Sequence, residues 1–176
     1  ANADLEKLPS PFLTGLIKPQ KFIRWETQRG CPFRCSFCQH RESDITQTRR
    51  HFTLPRILQE ADWICQNRVV QDVAILDPTF NSGELYLKVL ARLTEGRYSG
   101  KLALQVRPEM ITIEFLDSIE QLNKTARVVL EMGLQTTNRA EQILISRPNN
   151  LKKITRIFAE IKSRNIDTEL SLIFGL

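Results

Sequence analysis

The sequence predicts an α/β fold in which about five strand–helix units build one parallel sheet. Short apolar runs alternate five times with amphipathic segments, and the connections between them are short. The chain has 176 residues, 41% of them hydrophobic and 26% charged, which suits one domain with its own core. Periodicity leaves two architectures open, an open doubly wound sheet and a curved partial (β/α) barrel. In both, ligands bind at the carboxyl ends of the strands.

The first predicted unit is a strand over 22–28 followed by a helix over 53–66. Thr53 suits the N-cap of this helix, and Pro55 is tolerated in its first turn. The next strand covers 73–76, a continuous apolar run of the kind that is buried on both faces of a parallel sheet.

The remaining elements continue the same alternation. Helices are predicted over 84–95, 112–122, 138–145 and 151–164, and strands over 101–106, 127–132 and 169–174. We interpret the last strand as buried, and the chain stops directly after it. We therefore expect a core domain over 21–176 that is incomplete at its carboxyl end, in a chain cut from a longer protein.

Residues 1–20 are interpreted as a linker that lies over the domain surface, because its prolines forbid a continuous helix. Residues 1–3 have the composition of an expression scar and are excluded from the fold reasoning.

The formal net charge of +5 is mildly basic. Nucleic acid is compatible with this balance but not favoured, because excess lysine and arginine usually forms a solvated surface. No apolar run approaches the roughly 20 residues of a membrane span, and no signal peptide is visible. Three of the four cysteines crowd into eight residues, which favours a metal or cluster site in a reducing, cytoplasmic compartment.

Cys31, Cys35 and Cys38 follow the first strand directly, so they lie in a loop at the ligand-binding end. Three thiolates on a cubane [4Fe–4S] cluster leave one iron open to a small-molecule ligand. A structural zinc site completed by His40 or His51 is the alternative. The fourth cysteine, Cys65, lies on the apolar face of a predicted helix and is interpreted as a core residue.

The pattern Cys-x-x-x-Cys-x-aromatic-Cys, with Phe37 as its aromatic residue, resembles the signature of the radical SAM superfamily. The resemblance implies a partial (β/α) barrel, a [4Fe–4S] cluster on the three cysteines, and S-adenosylmethionine (SAM) as cosubstrate. It also implies that Phe37 flanks the adenine.

Further stretches at predicted strand ends extend the resemblance. Residues 77–81 are similar to an Asp-x-x-Phe-Asn turn of the branch with a cobalamin-binding domain, where the methionine amino group is received. The resemblance implies SAM contacts from the polar residues at these ends: Asp77, Gln105, Arg107, Glu131, Gln135 and Arg147. Arg147 would pair with the SAM carboxylate, a task that suits the two parallel donors of a guanidinium. For Arg107 a surface ion pair is the competing interpretation.

The resemblance implies an enzyme that cleaves SAM reductively to methionine and a 5′-deoxyadenosyl radical, with electrons from a donor such as flavodoxin or ferredoxin. The linker resembles the segment that follows a cobalamin-binding domain, so cobalamin held outside this chain is a further expectation. Methyl transfer and radical rearrangement are then the two expected outcomes. The alternative function is a structural zinc or iron–sulfur module that contacts nucleic acid.

Overall fold

The computed structural model describes residues 4–39 and 49–175. In this part of the chain the strands are β1 (Phe22–Trp25), β2 (Gln28–Arg29), β3 (Arg50–His51), β4 (Asp72–Ile75), β5 (Lys101–Val106), β6 (Arg127–Gln135) and β7 (Asp167–Leu172). The helices are α1 (Leu54–Gln66), α2 (Tyr86–Glu95), α3 (Ile113–Leu122), α4 (Arg139–Leu144) and α5 (Leu151–Ser163), with a 3₁₀ turn at Pro108–Met110. The predicted alternation of strands and helices is confirmed.

The main sheet has five parallel strands in the order β1-β4-β5-β6-β7, so every strand lies beside the next one along the chain. A doubly wound sheet needs a point where the strand order reverses, whereas a barrel sheet advances in one direction. The consecutive order therefore selects the partial barrel. The two short strands β2 and β3 form a separate antiparallel pair.

The strands of this sheet bury one face more completely than the other. On β4, Val73 and Ile75 are buried, whereas Ala74 is half-buried and Leu76, directly after the strand, is 44% exposed. The alternation continues on β5, where Leu102, Leu104 and Val106 are buried. Burial of the 73–76 run on both faces was therefore a wrong expectation. In a (β/α) barrel the crossover helices pack on one side of the sheet, which leaves the other face of this partial barrel more accessible.

Three helices begin at side chains that satisfy free backbone amides. Thr112 accepts a hydrogen bond from the Phe115 amide, and Asn138 and Asn150 cap α4 and α5 in the same way. Thr53 occupies the predicted N-cap of α1, but its side chain accepts no capping hydrogen bond. In the part of the chain that the structure describes, no helix has both the length and the apolar character to span a bilayer.

Two further strand predictions need correction. The strand predicted over 22–28 ends at Trp25, and Gln28 and Arg29 belong to the separate pair with β3. The last strand is not buried, because all six residues of β7 are exposed. Within the described residues β7 pairs only with β6, so it is an edge strand.

The N-terminal segment packs on the domain more closely than a surface linker. Leu5 and Phe12 are buried in the main core, and the Phe12 ring lies 5.1 Å from that of Trp63, centroid to centroid. A guanidinium nitrogen of Arg56 donates to the Leu8 carbonyl oxygen at 2.5 Å. This segment therefore contributes to the hydrophobic core of the domain.

Candidate functional site

The three cysteines of the motif lie in a loop that leaves the barrel after β2 and returns at β3. The antiparallel pairing of Gln28 with His51 closes the base of this loop. Cys35 is buried, Cys31 and Cys38 are half-buried, and all three are free thiols. The excursion is named the cysteine loop below, residues 30–49, of which 30–39 and 49 are described.

Asp77 anchors the segment that leads into the cysteine loop. Its carboxylate accepts hydrogen bonds from the Thr27 amide at 2.9 Å, from the Gln28 amide at 3.1 Å and from the Thr27 hydroxyl. Asp77 has no exposed surface, and burial raises the pKa of its carboxyl to about 6, although these hydrogen bonds oppose the shift. The structure thus places Asp77 beneath the loop entrance.

The turn that begins at Asp77 also joins the ends of β4 and β5. The Asn81 side chain donates to the Arg107 carbonyl oxygen and accepts from the Arg107 amide, both at 2.9 Å. The Phe80 amide donates to the Gln105 carbonyl oxygen at 2.8 Å. Sequence reasoning singled out this turn but not Asn81 or Thr27 as the side chains that bind it in place. The available signal was their polar character, since Asn81 lies within the 77–81 turn and Thr27 lies near the end of the first predicted strand.

A cavity of about 240 Å³ lies at the carboxyl ends of β5, β6 and β7. Its lining includes most of the side chains predicted to contact SAM, namely Gln105, Arg107, Glu131, Gln135 and Arg147. Pro78, Thr79, Val106, Met132, Gly133 and Ser171 complete the lining. In the described part of the chain Asp77 and Phe37 are not among the lining residues. The larger groove of about 1190 Å³ lies at the opposite end of the strands, around the first residues of β5 and β6, and its lining includes Cys65 but none of the three motif cysteines.

Glycine at position 133 creates the space for part of this cavity. A Cβ atom built on Gly133 would come within 2.3 Å of Nε2, the side-chain amide nitrogen of Gln135. Gln135 itself has a φ of 68°, a left-handed conformation that is unusual for a side chain other than glycine or asparagine. Between these two residues the register of β6 against β7 shifts. The end of β6 is therefore irregular at the point where it lines the cavity.

Arg147 connects the cavity to the cysteine loop. One terminal nitrogen donates to the Cys35 sulfur at 3.5 Å and the other donates to the Gly133 carbonyl oxygen at 2.5 Å. The residue is 9% exposed, and its buried Nε has no hydrogen-bond partner among the described residues. A buried unpaired donor is energetically costly, so this atom suits an acceptor supplied by a ligand.

Two further contacts hold the cysteine loop near this arginine. The Ser36 amide donates to the Ile145 carbonyl oxygen at 2.9 Å. The Ser36 hydroxyl donates to the Leu144 carbonyl oxygen at 3.3 Å. The residue that follows, Phe37, is 45% exposed. Its ring therefore remains available on the loop, close in sequence to the buried Cys35.

Arg107 is almost fully buried, at 4% exposure. Its guanidinium carbon lies 3.6 Å from the centroid of the Phe33 ring, and its Nε forms an ion pair with Glu109. The ion pair that competed with the ligand role is therefore present, but it is buried and not on the surface. Arg107 thus faces the cysteine loop as well as the cavity.

The zinc alternative gains no support from His51. The described residues contain no group of three or more His, Cys, Asp or Glu side chains close enough to hold one metal ion. The His51 ring packs against Gly83, where its Cε1 would lie 3.2 Å from an added Cβ. The other predicted partner, His40, lies outside the described residues.

Among proteins of known function, the chain is 28% identical over 191 residues to the cobalamin-dependent radical SAM methyltransferase TokK of Streptomyces tokunonensis. It is 27% identical to 2-(S-pantetheinyl)-carbapenam-3-carboxylate methyltransferase of Streptantibioticus cattleyicolor. Each alignment covers 96% of this chain, which spans only 27% of the length of either relative.

Solved structures share the fold at lower identity. The methyltransferase TsrM of Kitasatospora setae, solved with cobalamin and a [4Fe–4S] cluster bound, superposes with a TM-score of 0.72 at 18% identity, over 87% of this chain and 31% of that one. OxsB, solved with aqua-cobalamin and SAM bound, superposes with a TM-score of 0.67 at 14% identity. That superposition covers 85% of this chain and 23% of the OxsB chain. The model of the radical SAM superfamily matches residues 25–176. The chain therefore belongs to the radical SAM superfamily.

Proposed function

We propose that this chain is the catalytic core of a radical SAM enzyme, in which Cys31, Cys35 and Cys38 hold a [4Fe–4S] cluster and the cavity beside them receives SAM. One observation carries the proposal. Arg147 lines the cavity and donates to the Cys35 sulfur, so the cavity adjoins the cysteine loop. Family membership supports the same assignment.

The donor set fits the cluster. Three free cysteines supply three thiolates, and a cubane with three protein ligands keeps one iron for an external ligand. The thiolates of such a cluster bind three different irons, so they need not converge on one point as the ligands of a single metal ion do. The Arg147 guanidinium donates a hydrogen bond to the sulfur of Cys35, one of the three proposed cluster ligands.

The lining of the cavity fits the amino-acid portion of SAM. Arg147 offers the unpaired Nε to a carboxylate, and the carboxylate of Glu131 suits a cationic or hydroxyl group. At about 240 Å³ the cavity is smaller than the roughly 300–1,000 Å³ typical of pockets for drug-sized ligands. We therefore place the methionine portion in the cavity and the nucleoside beyond it, over the open inner face of the partial barrel.

Held by Cys31, Cys35 and Cys38, a reduced [4Fe–4S] cluster would supply the one electron that cleaves the SAM sulfonium to methionine and a 5′-deoxyadenosyl radical. The chain's contribution is to orient SAM through Arg147, Glu131 and Gln135 and to keep Cys35 away from water. Phe37, exposed on the loop, flanks the adenine. A one-electron donor such as flavodoxin or ferredoxin completes the reaction.

For the whole protein we propose methyl transfer or radical rearrangement with cobalamin bound outside this chain. The two methyltransferase relatives support methyl transfer, and the solved structures of TsrM and OxsB, which contain bound cobalamin, support a cobalamin-dependent reaction. The substrate is a separate question, because this chain spans about a quarter of the relatives' length.

Anaerobic reconstitution with iron and sulfide, followed by EPR of the reduced chain with and without SAM, tests the proposal. We expect about four irons per chain and a [4Fe–4S]⁺ signal that changes when SAM is added. Alanine at any one of the three motif cysteines should abolish cluster retention, whereas Cys65→Ala, the matched control, should keep it. A chain that binds about one zinc and no iron would refute the assignment, and so would a Cys35→Ala variant with full iron content.

A further inference from the structure

The cysteine loop has an anchor at Phe33, the aromatic residue between its first two cysteines. The Phe33 ring lies over the Arg107 guanidinium, with 3.6 Å from Cζ to the ring centroid. Phe33 is half-buried and Arg107 is 4% exposed, so little water screens the contact. A desolvated cation–π contact of this kind shifts a local opening equilibrium by roughly 10- to 30-fold.

Arg107 is held rigidly beneath the ring. The Asn81 side chain binds both its backbone amide and its carbonyl oxygen at 2.9 Å, and Glu109 pairs with its Nε. Its backbone therefore cannot shift without breaking the connection between the ends of β4 and β5. A fixed, planar cation is a platform on which an aromatic ring of the cysteine loop can be positioned.

We propose that Arg107 is a positioning residue of the cysteine loop, acting through Phe33, and not a ligand of the cosubstrate. The ion pair with Glu109 already engages its Nε, in contrast to Arg147, whose Nε has no partner among the described residues. The inference rests on the proposed function in one respect, which is that the loop held by Phe33 carries the cluster. It assigns to Phe33 and Arg107 the task of holding Cys31 and Cys35 in place before iron binds.

The cluster-free chain provides the first test. The alkylation rate of Cys35 is measured by mass spectrometry, with the partly buried Cys65 on α1 as internal reference. Phe33→Leu changes no charge, so a faster rate reports exposure of the thiol and not its ionisation. We expect Phe33→Leu and Arg107→Ala each to accelerate alkylation of Cys35 about tenfold relative to Cys65. Arg107→Lys should give a rate between those of the unmodified chain and Arg107→Ala. Unchanged rates in Phe33→Leu would overturn the inference.

Matched controls are available at the surface. Phe22→Leu removes an exposed ring that lies 5.9 Å from the Arg24 guanidinium, and Arg127→Ala removes an exposed arginine at the opposite end of the sheet. Both should leave the Cys35 rate at the value of the unmodified chain. Far-UV circular dichroism of each variant separates local loop opening from global unfolding, which would accelerate Cys65 as well.

The reconstituted chain distinguishes positioning from ligand binding. A positioning role predicts that Phe33→Leu and Arg107→Ala lose iron to a chelator faster than the unmodified chain in the absence of SAM. A ligand role predicts unchanged iron loss and weaker SAM binding in Arg107→Ala alone, which would refute the inference. If the unmodified chain assembles no cluster, the proposed function fails, while the alkylation rates still decide whether Arg107 positions the loop.

Discussion

Replacing Asp77 by asparagine should remove a pH dependence of stability that this one carboxyl creates. Burial raises the pKa of Asp77 from 3.8 to about 6 in the folded chain. Between these values the folded state binds the proton more tightly than the unfolded state, so stability falls as pH rises. At about 1.4 kcal/mol per pH unit, the shift corresponds to a loss of roughly 3 kcal/mol that is complete above pH 6.

Asparagine preserves the shape and most of the bonding at this position. Its carbonyl oxygen can accept from the Thr27 and Gln28 amides, as one carboxylate oxygen does now, and its NH₂ group can donate to the Thr27 hydroxyl. Alanine would instead leave these buried donors unpaired, at a cost of about 1–3 kcal/mol for each group left unsatisfied. The asparagine variant therefore isolates the effect of the charge, and the comparison of alanine with asparagine, both uncharged, isolates the hydrogen bonds.

Urea unfolding of the cluster-free chain, followed by circular dichroism at several pH values between about 4 and 7, measures both effects. Other carboxyls titrate in the same range, so the quantity of interest is the difference between the unmodified chain and Asp77→Asn. We expect the unmodified chain to lose stability relative to the variant as pH rises through this range. A stability difference that does not change with pH, or that changes in the opposite direction, would refute the account of Asp77 as a buried, desolvated acid.

Three further substitutions test other parts of the site and its support. Gly133→Ala should displace the side-chain amide of Gln135 and weaken SAM binding, measured by titration calorimetry, with little change in the free energy of unfolding. Undiminished SAM affinity would contradict the cavity geometry. Arg147→Lys should weaken SAM binding about tenfold, whereas Arg127→Lys at the other end of the sheet should not. Trp25→Phe should lower the free energy of unfolding by about 1–3 kcal/mol, because the indole donates to the buried Glu60 carboxylate at 2.7 Å. Urea unfolding with no change in midpoint would show that this bond contributes nothing.

Much of the fold was readable from local pattern. The helix over 53–66 and the strand over 101–106 were predicted almost to the residue, because the spacing of apolar residues along each segment is a local property. The burial of strands was predicted less well. The exposed β7 and the open side of β4 depend on what packs against each face, which an apolar run does not record.

The candidate site divides in the same way. The spacing of Cys31, Cys35 and Cys38 and the family resemblance identified the motif, and the family match confirms the superfamily. The polar residues at strand ends were also predicted as a group, because the carboxyl ends of parallel strands meet at one edge of a sheet.

Only the tertiary structure decided what each of these side chains contacts. It placed Asp77 under the loop entrance, brought Arg147 to Cys35, and set Arg107 beneath Phe33. These partners are separated by 50, 112 and 74 positions in the chain (77 against 27, 147 against 35, 107 against 33). The sequence by itself determined the motif, the alternation of strands and helices, and hence the edge at which the site lies. Which donor meets which acceptor there depends on side-chain directions and distances after packing, and no local pattern in the chain encodes them.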